Sequence, residues 1–185
     1  MSERPRTVTS SLVTALDNAW DPLLPRCDGM SDEEYLWEPT SAAWSVRFSD
    51  GSWRADWADP DPEPAPVTTI AWRTWHIAVD ALDSYSARLF GQTGTGLHGT
   101  AWVGDWPTAR GLLAASWDVF RTGVTRWSER DLLEPLGPAW GSFADHSNLD
   151  LAHHALREVV HHGAEIALLR DLHTHQHRDH PQRTS

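Results

Sequence analysis

Apolar residues recur every three or four positions along four long stretches of the chain, which is the period of an amphipathic helix. The stretches lie at about residues 7–21, 70–90, 107–128 and 149–172. Pro22 and Pro25 follow the first stretch and cannot continue a helix, and Gly91 after the second is typical of a helix C-terminus. No segment shows the alternation of a convincing strand, and no internal repeat is present. The pattern predicts an all-α four-helix bundle.

Residues that cap helices stand at the predicted starts. Serine and threonine hydroxyls accept hydrogen bonds from the free N–H groups of a first turn, and proline is favoured in that turn. The candidates are Thr7 or Ser10 for the first helix, Thr68 or Thr69 for the second, Pro107 for the third, and Ser147 or Asn148 for the fourth. Ser31 and Glu34 have the spacing of a capping box, which predicts a further short helix that ends near Pro39.

Long connections separate the helices and carry several tryptophans. Residues 40–66 contain Trp44, Trp53 and Trp57 and end in a run with proline at every second position, so no regular element is expected there. A structureless stretch of this length often forms a lid or a binding loop. Two further loops are predicted at residues 91–106 and 132–146. The interpretation is a single domain over residues 1–185 with Trp-rich connecting loops and a frayed polar tail at residues 173–185.

The charge and cysteine content exclude several classes of protein. The chain of 185 residues carries 15 basic and 26 acidic residues, for a net charge of −11, and contains no lysine. Such a surface repels nucleic-acid phosphates and anionic membranes. Cys27, the single cysteine, cannot form an intramolecular disulfide, and no apolar run approaches the roughly 20 residues of a membrane span or resembles a signal peptide. We therefore expect a cytoplasmic protein that binds neither nucleic acid nor membrane.

A glutamate and a histidine four residues apart in the fourth predicted helix are candidate metal ligands. Glu158 and His162 stack on one helix face at this spacing. A third ligand from a facing helix would complete a two-histidine, one-carboxylate site with open coordination positions. His76 is the natural candidate, because it lies within the strongly apolar second helix. The alternatives are a core histidine hydrogen-bonded to a carbonyl and an ordinary solvated glutamate.

Neighbouring polar residues of the fourth helix allow other arrangements. His161 lies three residues after Glu158 and can also close on a metal by spacing alone. The apolar stripe of the helix, however, runs along the face of Glu158 and His162, so His161 is interpreted as a rim residue or a hydrogen-bond donor beside the site. His154, four residues before Glu158, can reach the same cavity. Glu165 can accept a hydrogen bond from an imidazole N–H.

Three segments of the chain carry a resemblance to a known family: Tyr35–Val46, Pro66–Ile77 and Glu158–Leu172. They are similar to the DinB-like superfamily, which includes damage-inducible proteins, mycothiol-dependent maleylpyruvate isomerase and bacillithiol S-transferases. The resemblance extends over nearly the whole chain and implies a helical bundle with metal ligands at His76, Glu158 and His162. Many members have three histidines, whereas glutamate at the first position of the pair is similar to the isomerase. The additional C-terminal domain of that isomerase is expected to be absent here.

A metal centre of this kind suits the chemistry of small thiols. A divalent ion with an open side can bind a thiol, lower its pKa and present a thiolate at neutral pH. The hypothesis is that zinc, nickel or a similar ion activates mycothiol, or a similar low-molecular-weight thiol, for transfer to or isomerisation of an electrophilic small molecule. Trp72 and Trp75 would line the cofactor pocket and exclude water. Arg73 and Arg170 would add charge near its mouth or form ordinary surface ion pairs.

Three other functions fit the same residues. A metal-dependent hydrolase would activate water, and a stress protein would bind the metal or a small molecule without turnover. A structural bundle would use the polar trio as an internal hydrogen-bond network. All three alternatives use the same three residues. The first two differ in whether the bound metal supports turnover, and the third involves no metal. Exposed tryptophans would favour a homodimer.

Overall fold

The computed structural model describes residues 7–60, 62–91 and 100–178, and within them the chain is mostly helical. This agrees with the all-α class that the four apolar stretches predict. In chain order the elements are α1 (Val8–Trp20), α2 (Leu23–Arg26), α3 (Asp32–Leu36), β1 (Val46–Ser49), β2 (Ser52–Ala55), α4 (Ile70–Trp75), a π-helical segment (His76–Asp83), α5 (Ser84–Phe90), α6 (Trp106–Thr125), α7 (Glu129–Leu133), a 3-10 helix (Pro138–Phe143) and α8 (Asn148–Arg178).

The core lies between α1, α4 with its π-helical continuation, α6 and α8. Both α1 and α4 contact α6 and α8, and the π-helical segment contacts α6 and α8 as well. Leu16 of α1, Phe120 of α6 and Ile166 of α8 are almost completely buried, because each belongs to the apolar face of its helix. Most of α4 is buried around its whole circumference. The helix that carries His76 is therefore the most central one.

The helix predicted from Thr69 to Gly91 is continuous but not uniform. The Thr69 hydroxyl accepts a hydrogen bond from the N–H of Trp72, and Gly91 ends the helix in the left-handed conformation, as the sequence predicts. Eight residues in the middle, His76–Asp83, are π-helical, and the N–H of Ser84 reaches the carbonyl of Val79, five residues earlier. Such segments are rare and occur frequently at functional sites. The π-helical segment begins at the candidate metal ligand.

A β-hairpin replaces part of the predicted loop over residues 40–66. Strands β1 and β2 pair in an antiparallel register that joins Val46 to Ala55 and Ser49 to Ser52. Asp50 and Gly51 between them both have positive φ, at 51° and 77°, as a two-residue type I′ turn requires. The prediction of no strand in the chain is wrong. The dipeptide Asp-Gly is a strong hairpin signal, and it was present in the sequence.

Tryptophans connect the loop over residues 40–66 to α4. The ring of Trp44 lies 5.8 Å from that of Trp72, and the ring of Trp57 lies 6.1 Å from that of Trp75. The indole N–H of Trp72 donates a 2.8 Å hydrogen bond to the carbonyl of Asp56. Because Trp72 is held on two sides, its ring has a fixed position against the helix turn that follows it.

Two further boundaries differ from the predictions. The region 132–146 is not a simple loop, because α7 runs into it from Glu129 and a 3-10 helix follows at Pro138–Phe143. The predicted polar tail begins too early, since α8 remains helical to Arg178. The Ser147 hydroxyl accepts a hydrogen bond from the N–H of Asp150 and caps α8. The predicted loop after Gly91 falls largely on residues 92–99, which lie outside the described residues.

A buried ion pair joins α3 to α8. Ser31 caps α3 through the N–H of Glu34, but the Glu34 carboxylate does not return to Ser31 as a capping box requires. It instead accepts hydrogen bonds from Arg170 Nε at 2.6 Å and Arg170 Nη2 at 3.2 Å. Arg170 Nη1 also donates to the carbonyls of Arg26 and Asp28. Of the two interpretations of Arg170, the ordinary surface ion pair is wrong, because the pair with Glu34 is largely buried and the guanidinium also binds the turn before α3.

Candidate metal centre

Three side chains from the second and the last long helices meet at one point. His76 is the first residue of the π-helical segment, and Glu158 and His162 lie one turn apart on α8. Nε2 of His162 lies 2.9 Å from Glu158 Oε2, and Nε2 of His76 lies 3.2 Å from the same oxygen. The two imidazole rings are nearly perpendicular, with centroids 4.6 Å apart. We call these residues the His–Glu–His group; their ligand atoms lie close enough together to hold one metal ion.

The His–Glu–His group is shielded from water but not sealed. Glu158 is 8% exposed and His162 is 6% exposed, whereas the His76 side chain is 18% exposed. The ring of Trp72 stacks on that of His76 at 5.0 Å and 12°, and so fixes the plane of the imidazole. Trp75 is 1% exposed and packs in the hydrophobic core, which leaves it little surface for a guest molecule. The pocket-lining role of Trp72 and Trp75 stays a prediction.

A second carboxylate stands behind each imidazole. Asp80 Oδ2 lies 2.9 Å from His76 Nδ1, in a bent arrangement, and Glu165 Oε2 lies 2.7 Å from His162 Nδ1. Each imidazole therefore has a carboxylate oxygen beside both of its ring nitrogens, Glu158 at Nε2 and a second carboxylate at Nδ1. A cation between the two Nε2 atoms and Glu158 Oε2 would replace the protons there, and the Nδ1–H groups would then donate to Asp80 and Glu165. This is the carboxylate–histidine pattern found around protein metal ions.

The charges around the group favour a cation. Hydrogen bonds with His162 and then His76 hold the pKa of Glu158 far below its usual range, although burial opposes this. Burial lowers the pKa of His76, but contacts with the carboxylates of Asp80 and Glu158 outweigh burial and raise it. Glu158 is therefore ionised at neutral pH, and protons compete with a metal for the imidazole nitrogens.

Arg73 lies beside the His–Glu–His group and does not form an ordinary surface ion pair. Its Nε lies 2.9 Å from Glu165 Oε2, and its Nη1 lies 3.1 Å from His162 Nδ1. The 2.7 Å contact of His162 Nδ1 with Glu165 Oε2 is shorter. The guanidinium therefore balances the charge of Glu165, the carboxylate that orients His162.

The neighbouring histidines occupy different places. His161 is exposed, and its Nε2 lies 3.4 Å from Glu165, so that His161, His162 and Glu165 form a second, more open group of potential ligands. His162 is the member of the adjacent pair that reaches Glu158, as the apolar stripe predicts. His154 Nε2 lies 3.5 Å from the other oxygen of Glu158, Oε1, and its Nδ1 is hydrogen-bonded to Tyr85 at 2.8 Å.

Cys27 offers no reactive thiol. Its side chain is buried, and burial raises the pKa of the thiol to about 11, so it is protonated at neutral pH. Any thiol chemistry at this protein requires a thiol from outside the chain.

Comparison with known proteins identifies the family. The family model of the DinB superfamily matches residues 15–166, which is most of the chain and includes all three members of the His–Glu–His group. The chain belongs to the DinB superfamily. No curated protein and no solved structure matches it. DinB-superfamily membership agrees with the mostly helical fold and with a metal-binding role. No helix in the described ranges has the length and apolar character needed to cross a membrane.

Asp80 and Glu165 can be tested as residues that orient the two imidazoles in this DinB-superfamily member. We expect Asp80→Asn and Glu165→Gln to weaken divalent-metal affinity about 10–100-fold without abolishing binding, because outer hydrogen-bond partners typically contribute this much. Competition with a chromophoric chelator measures the affinity. Glu134→Gln, at an exposed glutamate remote from the group, is the matched control. Unchanged affinity in both folded variants would show that the outer carboxylates do not orient the ligands.

Proposed function

We propose that this DinB-superfamily protein is a divalent-metal-dependent enzyme. It would activate a low-molecular-weight thiol, mycothiol or a similar compound, for transfer to or isomerisation of an electrophilic small molecule. The observation that carries the proposal is the convergence of two Nε2 atoms on one oxygen of Glu158, at 2.9 Å and 3.2 Å. We propose His76, Glu158 and His162 as the metal ligands.

The donor set fits a first-row divalent ion. Two imidazoles and one carboxylate suit zinc and nickel, among other ions, and three protein ligands leave coordination positions for a guest. The two outer carboxylates also fit, since they hold the imidazoles with Nε2 directed at a common point. Zinc or nickel is therefore the proposed metal.

Some residues around the group would orient the metal ligands, and others would shield the metal from water. A divalent ion bound here would act as a Lewis acid that lowers the pKa of a coordinated thiol. Asp80 and Glu165 keep the imidazoles in orientation, and Arg73 balances the charge of Glu165. Trp72, stacked on His76, would limit the access of water to this side of the group and give a guest one apolar wall, with Trp75 behind it.

The same proposal includes the architecture and the partners. The four long helical stretches would form the four-helix bundle of the family, with Trp-rich connections. The protein would act in the cytoplasm on a small molecule and a thiol, as a homodimer. The net charge of −11 supports the absence of nucleic-acid and membrane partners.

Turnover with a panel of thiols tests the proposal. The metal-loaded protein should consume a model electrophile faster with at least one low-molecular-weight thiol than in its absence, and Glu158→Gln or a chelator should remove this rate. Cys27→Ser should keep it, because the buried cysteine takes no part. Product formation followed by mass spectrometry measures both rates.

Two other outcomes would indicate a different function. Metal-dependent turnover that is independent of thiol would indicate a hydrolase. Tight metal binding with no thiol-dependent rate above background across the panel would indicate a non-catalytic binding protein. Either result would contradict thiol activation.

A further inference from the structure

A cavity of about 650 Å³ opens on the side of Glu158 that faces away from His76 and His162. Residues of the 3-10 helix, the connection after it, α5 and the first turns of α8 surround it. The volume lies within the range of small-molecule pockets, about 300–1,000 Å³. The lining residues that matter below are Tyr85, Trp140, Phe143, Leu151, His154 and Arg157.

The Glu158 carboxylate lies between this cavity and the two histidines of the His–Glu–His group. Its Oε2 faces the two candidate metal ligands, whereas its Oε1 lies 3.5 Å from His154 Nε2 and 3.3 Å from Arg157 Nη2. His154 and Arg157 both line the cavity. A molecule in the cavity therefore lies beside two residues that contact Glu158, one of the proposed metal ligands.

The lining of the cavity selects a chemical class. Trp140, Phe143 and Tyr85 present aromatic rings, and Leu151 adds an aliphatic surface. The guanidinium of Arg88 lies 4.7 Å from the centre of the Trp140 ring and holds the ring from outside the cavity. Asp150, the acidic residue in the lining, accepts hydrogen bonds from the N–H and the hydroxyl of Ser147, the residue that caps α8. The rings therefore offer a flat aromatic molecule a stacking surface, while Arg157 and three histidines (His146, His153 and His154) are available to its polar substituents.

A polar pair lies at the inner end of the aromatic surface. The Tyr85 hydroxyl and His154 Nδ1 are 2.8 Å apart, and His154 Nε2 approaches Glu158. Burial, with a smaller effect of the nearby Asp80 and Glu158 carboxylates, raises the pKa of Tyr85, so its phenol keeps its proton and can donate a hydrogen bond. A few polar groups in a mainly apolar pocket fix the orientation of a ligand.

We propose that this cavity binds the electrophilic substrate, and that the substrate is a planar aromatic molecule with an oxygen substituent directed at Tyr85. The assignment rests on the proposed function, because it names the substrate class of the same metal centre. Tyr85 and His154 act as positioning residues, and Trp140 supplies the stacking surface. For an aryl chloride the reaction balances as a new C–S bond, a broken C–Cl bond, a chloride ion and the thiol proton released to solvent.

Binding of 2-naphthol, an unreactive aromatic probe with one hydroxyl, tests the cavity without turnover. The wild-type protein should bind one molecule per chain in isothermal titration calorimetry. Trp140→Ala should bind at least about tenfold more weakly, because the ring contact is lost. Tyr85→Phe should bind several-fold more weakly, because only the hydroxyl is removed. Phe48→Ala removes an aromatic ring that is 63% exposed on the hairpin, and it should bind as the wild type does.

Kinetics then separate this assignment from the proposed function. With an effective thiol, the metal-loaded enzyme should prefer 1-chloro-2,4-dinitrobenzene over iodoacetamide, and Trp140→Ala should lose that preference while it keeps its metal. Equal 2-naphthol affinities for the wild type and Trp140→Ala, or an absence of saturable binding, would overturn the cavity assignment alone. An absence of thiol-dependent rate with every electrophile would overturn the proposed function, whatever the probe binding shows.

Discussion

Replacing His76 with alanine is expected to weaken binding of zinc or nickel by more than about 100-fold, since loss of an outer hydrogen-bond partner alone typically costs 10–100-fold. His76 is the contribution of the second long helix to the group, and without it α8 supplies only Glu158 and His162. The wild-type protein should also unfold at a higher temperature with metal, because an ion at 100 times its Kd adds about 2.7 kcal/mol of stability. The variant should lose most of this increase.

Two measurements check this expectation. Calorimetric titration gives the metal affinity, and thermal unfolding with and without metal gives the linked stabilisation. His153→Ala is a suitable control, because it removes an exposed imidazole from the same helix and leaves the group intact. If His76→Ala and His153→Ala bound metal as tightly as the wild type, His76 would not be a ligand. The group would then be an internal hydrogen-bond network.

Replacing Arg170 with methionine is expected to lower the free energy of unfolding by about 3–5 kcal/mol, the cost of leaving one partner of a buried ion pair without the other. The side chains of Arg170 and Glu34 are only 13% and 8% exposed. Methionine keeps most of the length of the arginine stem, so the loss reports mainly on the guanidinium. The same change also frees the carbonyls of Arg26 and Asp28.

A second arginine provides a matched control. Arg121 makes the same two-pronged contact with Asp17, at 2.6 Å and 2.8 Å, but these side chains are 39% and 31% exposed. Arg121→Met should therefore cost under about 1 kcal/mol. Urea unfolding followed by circular dichroism gives both values. Similar losses for Arg170→Met and Arg121→Met would mean that burial does not set the contribution of the Glu34 pair.

The sequence predicts much of the helical fold because the signals are local. Apolar periodicity locates the long helices, and Thr69, Gly91 and Ser147 stand at helix ends where their hydrogen bonds or backbone conformation are needed. The His–Glu–His group could also be predicted from the sequence, because an i, i+4 pair places two side chains on one face of a helix. His76 needed only the further assumption that a polar residue in an apolar helix points toward a polar partner.

The remaining features depend on contacts between distant parts of the chain. Glu34 and Arg170 are 136 positions apart, and nothing local distinguishes that arginine from a surface one. Asp80 follows His76 at the same spacing that joins Glu158 to His162, so its role behind the imidazole could have been found by the same reasoning. The position of Tyr85 could not be predicted in this way, because it depends on how the helix winds between residues 76 and 83.

The wide turns of the π-helical segment determine which residues lie on the same face of the helix. In an α-helix each residue advances about 100°, so nine steps would place Tyr85 on the side opposite His76. The i→i+5 bonding of the segment places more residues in each turn and so reduces the advance per residue. Tyr85 and His76 both face α8, where Tyr85 contacts His154 and His76 contacts Glu158. One helix therefore serves both the candidate metal ligand and the wall of the adjoining cavity.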